Sequence, residues 1–228
     1  MRQPSPISDQ PRISSNQLGE YVFATPAKRA RILRDQKFGN AFRSPYYQSA
    51  QSSVLGAFKA GDYDTTVLRD KAAQLRSKEA KNRNQFARFN NNAEMIRRFC
   101  DIAGAARPPT GEHSFIRQGA SIDVSGVVVS VRPEIATVCS AKRSFCYTKF
   151  RFSKSKVSED ESEIVLLLLL KYGGAQASEM QRFDPDATRL VDCFSRNVIE
   201  GHRLARIRET QLETALREIR RLWPTILS

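Results

Sequence analysis

The chain has 228 residues, of which 40% are hydrophobic and 27% charged, and its formal net charge is +13 at pH 7. This length is sufficient for one large or two small domains with a self-sufficient core. The longest apolar run, residues 164–170, is far shorter than the roughly 20 residues that a membrane helix needs. The amino terminus has no hydrophobic stretch typical of a signal peptide. We therefore expect a cytoplasmic protein without a membrane partner.

The cysteines and histidines exclude a zinc signature. Four cysteines are scattered without C-x-x-C spacing, and there are only two histidines. We expect reduced thiols, as in most cytosolic proteins. The sequence also lacks a G-x-x-x-x-G-K-[ST] phosphate loop, a G-x-G-x-x-G fingerprint and a G-x-S-x-G elbow.

The positive charge is concentrated in the first half. Residues 1–110 contain 19 Lys and Arg against 9 Asp and Glu, whereas residues 111–228 contain 18 against 15. An asymmetric basic excess indicates a polyanionic partner, most often nucleic acid. The alternative is a protein that is merely basic.

The first half is predicted to be helical after a tail rich in Pro, Ser and Gln. We expect disorder over residues 1–17 and a basic helical region over residues 18–106. Thr25-Pro26 and Ser44-Pro45 both have the pattern of an N-cap followed by proline at the first helical position. A long polar helix is predicted over residues 65–92, with a further helix that stops at Gly104.

The second half is predicted to be an α+β domain over residues 110–228, after the linker Arg107-Pro108-Pro109. β-branched and alternating segments indicate two strands before residue 154. The capping box at Ser158 opens an apolar helix, a strand pair turns at Arg196-Asn197, and an amphipathic helix ends at Pro224. The expected order is β-β-α-β-β-α, around a small mixed sheet with helices packed on it.

Two adjacent predicted strands contain a pattern that bears on chemistry. Pro133-Glu134 opens one of these segments, and the next carries Lys149 two residues after Tyr147. A strand places residues i and i+2 on the same face. Two acids held in this way can bind a hard cation through oxygen, and a lysine can orient the attacking water.

This order of elements resembles the PD-(D/E)xK, restriction-endonuclease-like superfamily over residues 94–194. The resemblance implies that Glu134 is the first metal acid, Lys149 the catalytic lysine and Glu94 an accessory acid, with Mg²⁺ as the cofactor. The second acid of the pattern is replaced by Tyr147, a neutral phenol that binds magnesium poorly.

Three interpretations of this departure stay open. Asp123 or Asp192 reaches the site from a neighbouring strand, or the fold persists as a non-cleaving scaffold that binds nucleic acid, or the sheet is unrelated and Lys149 is simply solvated. Residues 18–38 and 219–226 also resemble segments of uncharacterised bacterial proteins from mobile-element or phage-defence neighbourhoods.

Two basic clusters are the predicted contacts to phosphate groups, because each neutralised phosphate releases a counterion. Phe86 and Phe89, interleaved with the second cluster, could stack on unpaired bases; the alternatives are core packing for the rings and solvated faces for the charges. The clusters are Lys28, Arg29, Arg31, Arg34 and Lys37, and then Lys71, Arg76, Lys78, Lys81, Arg83 and Arg88.

The sequence thus predicts a nucleic-acid-binding protein with a nuclease-like domain that has lost part of its acid set, and we expect DNA rather than RNA as the partner. One alternative is a non-catalytic subunit that docks on a larger protein complex. The other is an active Mg²⁺-dependent nuclease.

Overall fold

The fold is α+β, as predicted. The computed structural model describes residues 9–39, 46–61, 64–116, 120–153, 158–201 and 207–227. The predicted helix start at Ser44-Pro45 lies outside these residues. Within them there are seven α-helices and nine β-strands, which form two mixed sheets. None of these helices is long and apolar enough to cross a membrane.

The elements alternate little: helices dominate the first half and strands the second. The helices are α1 (Ser15–Val22), α2 (Pro26–Phe38), α3 (Gln48–Lys59), α4 (Thr65–Arg76), α5 (Arg83–Cys100), α6 (Glu159–Gln176) and α7 (Ile207–Leu222). The strands are β1 (Arg12–Ser14), β2 (Glu112–Phe115), β3 (Ser121–Val124), β4 (Val127–Ser130), β5 (Ile135–Cys139), β6 (Ser144–Arg151), β7 (Arg182–Phe183), β8 (Arg189–Asp192) and β9 (Asn197–Glu200).

The larger sheet has the order β2-β5-β6-β8-β9, with the short β7 also paired to β6. Strands β5 and β6 are antiparallel, whereas β6 and β8 are parallel and are connected through α6. The smaller sheet has the order β1-β4-β3, in which β1 runs parallel and β3 antiparallel to β4.

Helices cover both faces of the larger sheet. One core joins α1, α2, α6, α7 and the smaller sheet to the face that carries Phe145 and Tyr147. The other core joins α3, α4 and α5 to the face that carries Phe150. Successive side chains of a strand point to opposite faces. Because both faces are covered, all eight residues of β6 are buried.

The cores do not follow the domain division expected at residues 106–110. Helices α1 and α2 share a core with α6 and α7, so the basic helical half is divided between two layers. The expected tail also contains structure, because β1 and the start of α1 fall within residues 12–17. Ile13 packs in the first core, and the Ser14 hydroxyl accepts a hydrogen bond from the backbone N–H of Gln17 as an N-cap.

The long helix predicted over residues 65–92 is two helices. Helix α4 ends at Arg76 and α5 begins at Arg83, because the Asn82 side chain accepts the backbone N–H of Gln85 and caps the new helix. Helix α5 then runs past Asn92, whose buried side chain accepts the backbone N–H of Ala50. The pair forms a hairpin, and the expected separate helix after residue 92 is part of α5.

Candidate functional site

Lys149, the expected catalytic lysine, is buried within the larger sheet. Only 5% of it is exposed, and its ammonium donates to the carbonyl oxygens of Val131 at 2.7 Å and Arg132 at 3.0 Å. Burial lowers its pKa, the negative charge of Glu134 opposes that change, and the neighbouring arginines reinforce it. The ammonium therefore holds the turn after β4, and the interpretation of a solvated lysine is wrong.

Glu134, the expected first metal acid, stands just before β5 and completes the ladder between β5 and β6. One carboxylate oxygen accepts the backbone N–H of Phe150 at 2.7 Å, and the other accepts the side-chain amide of Gln51 from α3 at 3.4 Å. Burial raises the pKa of Glu134, whereas the charge of Lys149 and the bond from Phe150 lower it. The carboxylate acts here as a substitute for a strand carbonyl.

Tyr147 occupies the position of the missing second acid and is a core residue. Its ring packs against Phe145, Tyr172 and Phe183, with centroid distances of 5.6, 5.3 and 6.4 Å. Burial among these rings raises the pKa of its hydroxyl. A carboxylate at this position would be surrounded by aromatic carbon, so the packing of α6 on the sheet does not accommodate the second acid of the expected pattern.

Glu94, the expected accessory acid, belongs to a different group of residues. Its carboxylate lies 3.1 Å from Arg98, 3.3 Å from Arg76 and 3.9 Å from Arg97. These partners come from α4 and α5, and none of them contacts Glu134 or Lys149. The structure does not bring the three expected site residues together.

Asp192 and Asp123 do not supply the missing acid. The buried Asp192 accepts hydrogen bonds from the backbone N–H groups of Phe194 and Ser195 and so closes the turn between β8 and β9. Asp123 accepts the backbone N–H of Gly126 in the turn between β3 and β4. Both carboxylates have local structural roles as turn acceptors.

The motif residues do not fit a magnesium site. Mg²⁺ needs near-octahedral oxygen ligands, of which the protein usually supplies one or two carboxylates. Of the two acids expected there, Glu94 is paired with arginines of α4 and α5, and both oxygens of Glu134 already accept hydrogen bonds. Among the described residues, no group of three or more His, Cys, Asp and Glu side chains could hold a metal ion.

The first basic cluster, on α2, is partly structural. Lys28 pairs with Glu20 at 3.0 Å, and Arg29 pairs with Glu218 of α7 at 2.9 Å. Lys37 is 9% exposed, and its ammonium donates to two backbone carbonyls at the carboxyl end of the chain. Arg31 and Arg34 are the exposed members.

The second basic cluster lies on the α4–α5 hairpin, in the other helical layer. Five of its six members are exposed: Lys71, Arg76, Lys78, Lys81 and Arg83, with Arg88 partly buried. The ammonium of Lys78 lies 5.4 Å from the centre of the Phe89 ring, whereas Phe86 is 56% exposed. The packing interpretation therefore fits Phe89, and the Phe86 ring is accessible.

The hairpin also contains arginines that the sequence reasoning missed. A cavity of about 330 Å³ between α4 and α5 is lined by Arg69, Arg76, Arg97 and Asp101, with two alanines. Arg69 and Arg76 are seven residues apart on α4, so they lie on the same helix face. This spacing in the sequence could have identified Arg69 as a neighbour of Arg76. The approach of Arg97 to these two arginines, by contrast, depends on how α5 packs beside α4.

The two basic clusters do not form a single surface on one layer of helices. Helix α2 packs in the core on one face of the larger sheet, and the α4–α5 hairpin packs in the core on the other face. No protein-family model matches the chain, and no curated protein matches its sequence.

Proposed function

We propose that the protein binds nucleic acid through the α4–α5 hairpin and that its nuclease-like motif stabilises the sheet without cleaving the bound strand. One observation carries the proposal. Residues 65–100 contain nine Lys and Arg against three Asp and Glu, and most of the basic side chains on α4 and the loop before α5 are exposed. Such a surface attracts the phosphate backbone through counterion release.

The exposed ring of Phe86 supports contact with unpaired bases. It lies one turn after Arg83 on α5 and is 56% exposed. Aromatic side chains beside cations stack on bases without reading sequence, and each base stacked in this way contributes about 1–3 kcal/mol. The hairpin therefore combines a site for phosphate groups with a platform for a base.

The state of the motif residues supports binding without cleavage. The Lys149 ammonium is committed to two backbone carbonyls, and the Glu134 carboxylate to one backbone N–H and one amide. Neither group can approach a scissile phosphate unless these bonds break. In this proposal both residues contribute to the stability of the sheet, and Mg²⁺ has no part in the function.

The test is a titration of labelled single-stranded and duplex DNA and RNA at two salt concentrations. Lys81→Gln/Arg83→Gln should weaken binding about tenfold and reduce the salt slope by about two. The matched control is Lys171→Gln/Arg217→Gln, which removes two exposed cations from α6 and α7. Equal effects of the two double variants would overturn the proposal.

Two further measurements test the remaining parts. Phe86→Ala should weaken binding to single strands about tenfold or more and leave duplex binding unchanged. The wild-type protein should leave plasmid DNA intact with Mg²⁺ or Mn²⁺. Cleavage that is lost in Glu134→Gln, but retained in Lys81→Gln/Arg83→Gln, would show that the motif is catalytic.

A second function, docking on a larger protein complex, is favoured by a groove between α3 and α4. The groove has a volume of about 480 Å³ and contains Val67, whose side chain is large, apolar and 59% exposed. An apolar interface of this kind should respond weakly to salt, whereas phosphate binding should weaken linearly in log affinity against log salt. The salt titration therefore separates the two functions.

A further inference from the structure

The smaller sheet presents one apolar and one polar face. Ile13, Val127, Val129 and Val131 are at most 2% exposed and pack in the first core. Alternation along β1 and β4 places their neighbours on the outer face. The outer face borders a cavity of about 480 Å³, whose lining is Gln10, Arg12, Ile13, Ser14, Gln36, Ser121, Val128, Ser130 and Arg132.

Three serines form a row across this sheet. Ser14 of β1 pairs in register with Ser130 of β4, and Ser130 pairs with Ser121 of β3. Adjacent strands lie about 4.8 Å apart, so the row spans roughly 10 Å. The Ser14 oxygen accepts the backbone N–H of Gln17, and its proton is available for a further bond. The row thus presents hydroxyl donors along one line.

Two arginines flank the row without carboxylates beside them. Arg12 and Arg132 are exposed and line the cavity. Within the described residues, neither guanidinium forms a hydrogen bond or an ion pair. No Asp or Glu is among the lining residues. Asp123 is on the same sheet, but its carboxylate already accepts the backbone N–H of Gly126.

The buried ammonium of Lys149 holds one of these arginines in place. Arg132 has a φ of 47°, a backbone conformation that residues other than glycine seldom adopt. The Lys149 ammonium donates to the carbonyls of Val131 and Arg132, on both sides of that strained backbone. Lys149 is therefore a positioning residue for the turn that carries Arg132.

We propose that this cavity binds a phosphate group between Arg12 and Arg132, with hydroxyls of the serine row donating to its oxygens. Guanidinium groups match the geometry of phosphate oxygens, and hydroxyl donors complete their hydrogen bonding. The site goes beyond the proposed nucleic-acid contact, because it lies on the smaller sheet and shares no residue with the α4–α5 hairpin. Its ligand is inorganic phosphate or the phosphate of a mononucleotide.

The test is a titration of the full chain with sodium phosphate at constant ionic strength, followed by backbone amide NMR shifts. Saturable shifts are expected at Ser14, Ser121 and Ser130. Arg12→Gln and Arg132→Gln should each weaken binding at least tenfold, because a hydrogen bond to a charged group is lost. The control Arg34→Gln removes an exposed arginine of α2 that is outside the cavity, and it should leave affinity within twofold.

Adenosine monophosphate and adenosine identify the source of the phosphate. Tighter binding of the monophosphate than of phosphate assigns a nucleotide, and equal binding assigns free phosphate, whereas adenosine alone should not bind. Shifts that grow linearly with phosphate concentration without saturating, or equal losses of affinity in Arg12→Gln and Arg34→Gln, would overturn the site. The variant Lys81→Gln/Arg83→Gln should retain phosphate binding, so failure of the nucleic-acid proposal leaves this result separate.

Discussion

Replacement of Lys149 by methionine is the sharpest test of how the motif residues are used. Methionine preserves most of the aliphatic chain and removes only the ammonium. The substitution therefore leaves the carbonyl oxygen of Arg132 without its donor, and that of Val131 with only the Ser15 hydroxyl at 3.4 Å. It also removes the positive charge that opposes the effect of burial on Glu134. If Lys149 were instead a catalytic lysine that faced solvent, this variant would lose activity but little stability.

The expected loss of stability is large. Each hydrogen bond from a charged donor contributes about 1.5–3 kcal/mol, and leaving a buried charge without its partner costs about 3–5 kcal/mol. These two figures describe overlapping parts of the same loss, so we expect the free energy of unfolding to fall by about 4 kcal/mol. A substitution at an exposed position usually changes it by less than about 0.5 kcal/mol.

The assay is urea denaturation followed by circular dichroism at pH 7. The control Lys171→Met removes an exposed lysine from α6 and should change stability little. The double variant Lys149→Met/Glu134→Gln should lose less stability than the sum of the two single variants, because it contains no buried carboxylate without a counter-charge. A loss below about 1 kcal/mol in Lys149→Met would refute the structural role.

Three other predictions concern protonation, packing and thiol access. Burial lowers the pKa of Lys149, so the unfolded chain binds more protons than the folded chain just below pH 10.5. The free energy of unfolding should therefore rise with pH in that range in the wild type but not in Lys149→Met, as measured by the midpoints of urea denaturation. Gly19→Ala should destabilise the protein by about 1–3 kcal/mol, because the added Cβ would lie 2.7 Å from a backbone oxygen of α6. In the control Gly174→Ala the added Cβ meets nothing within 4 Å, so thermal melts should show no change or a stabilisation. Iodoacetamide should label the partly exposed Cys139 before Cys146, because burial raises the pKa of the Cys146 thiol to about 11. The order of labelling is measured by mass spectrometry, and the reverse order would contradict the described sheet.

Local signals located many of the elements, because the groups that start a helix are neighbours in sequence. Helix α2 begins after Thr25 at Pro26, and α6 begins after Ser158, whose hydroxyl accepts the backbone N–H of Glu161. The break between α4 and α5 was missed because Asn82 is one of several asparagines and polar residues in that segment. Which of them caps a helix depends on where α5 packs.

Burial of the charged residues could not be read from the pattern. Lys37 and Arg34 are both basic residues of α2, yet Lys37 is 9% exposed and Arg34 is exposed. The difference arises because the carboxyl end of the chain, which is distant in sequence, covers one side of α2 and offers carbonyls to Lys37.

The sequence by itself determined the α+β class, the charge asymmetry and the alternation that places Tyr147 and Lys149 on the same face of a strand. The tertiary structure alone decided that this face is covered by α6 and its neighbours. Alternation with a period of two assigns side chains to faces, but it contains no information on whether a second layer covers a face. For that physical reason the residues that resemble a catalytic motif lie in the interior of the sheet.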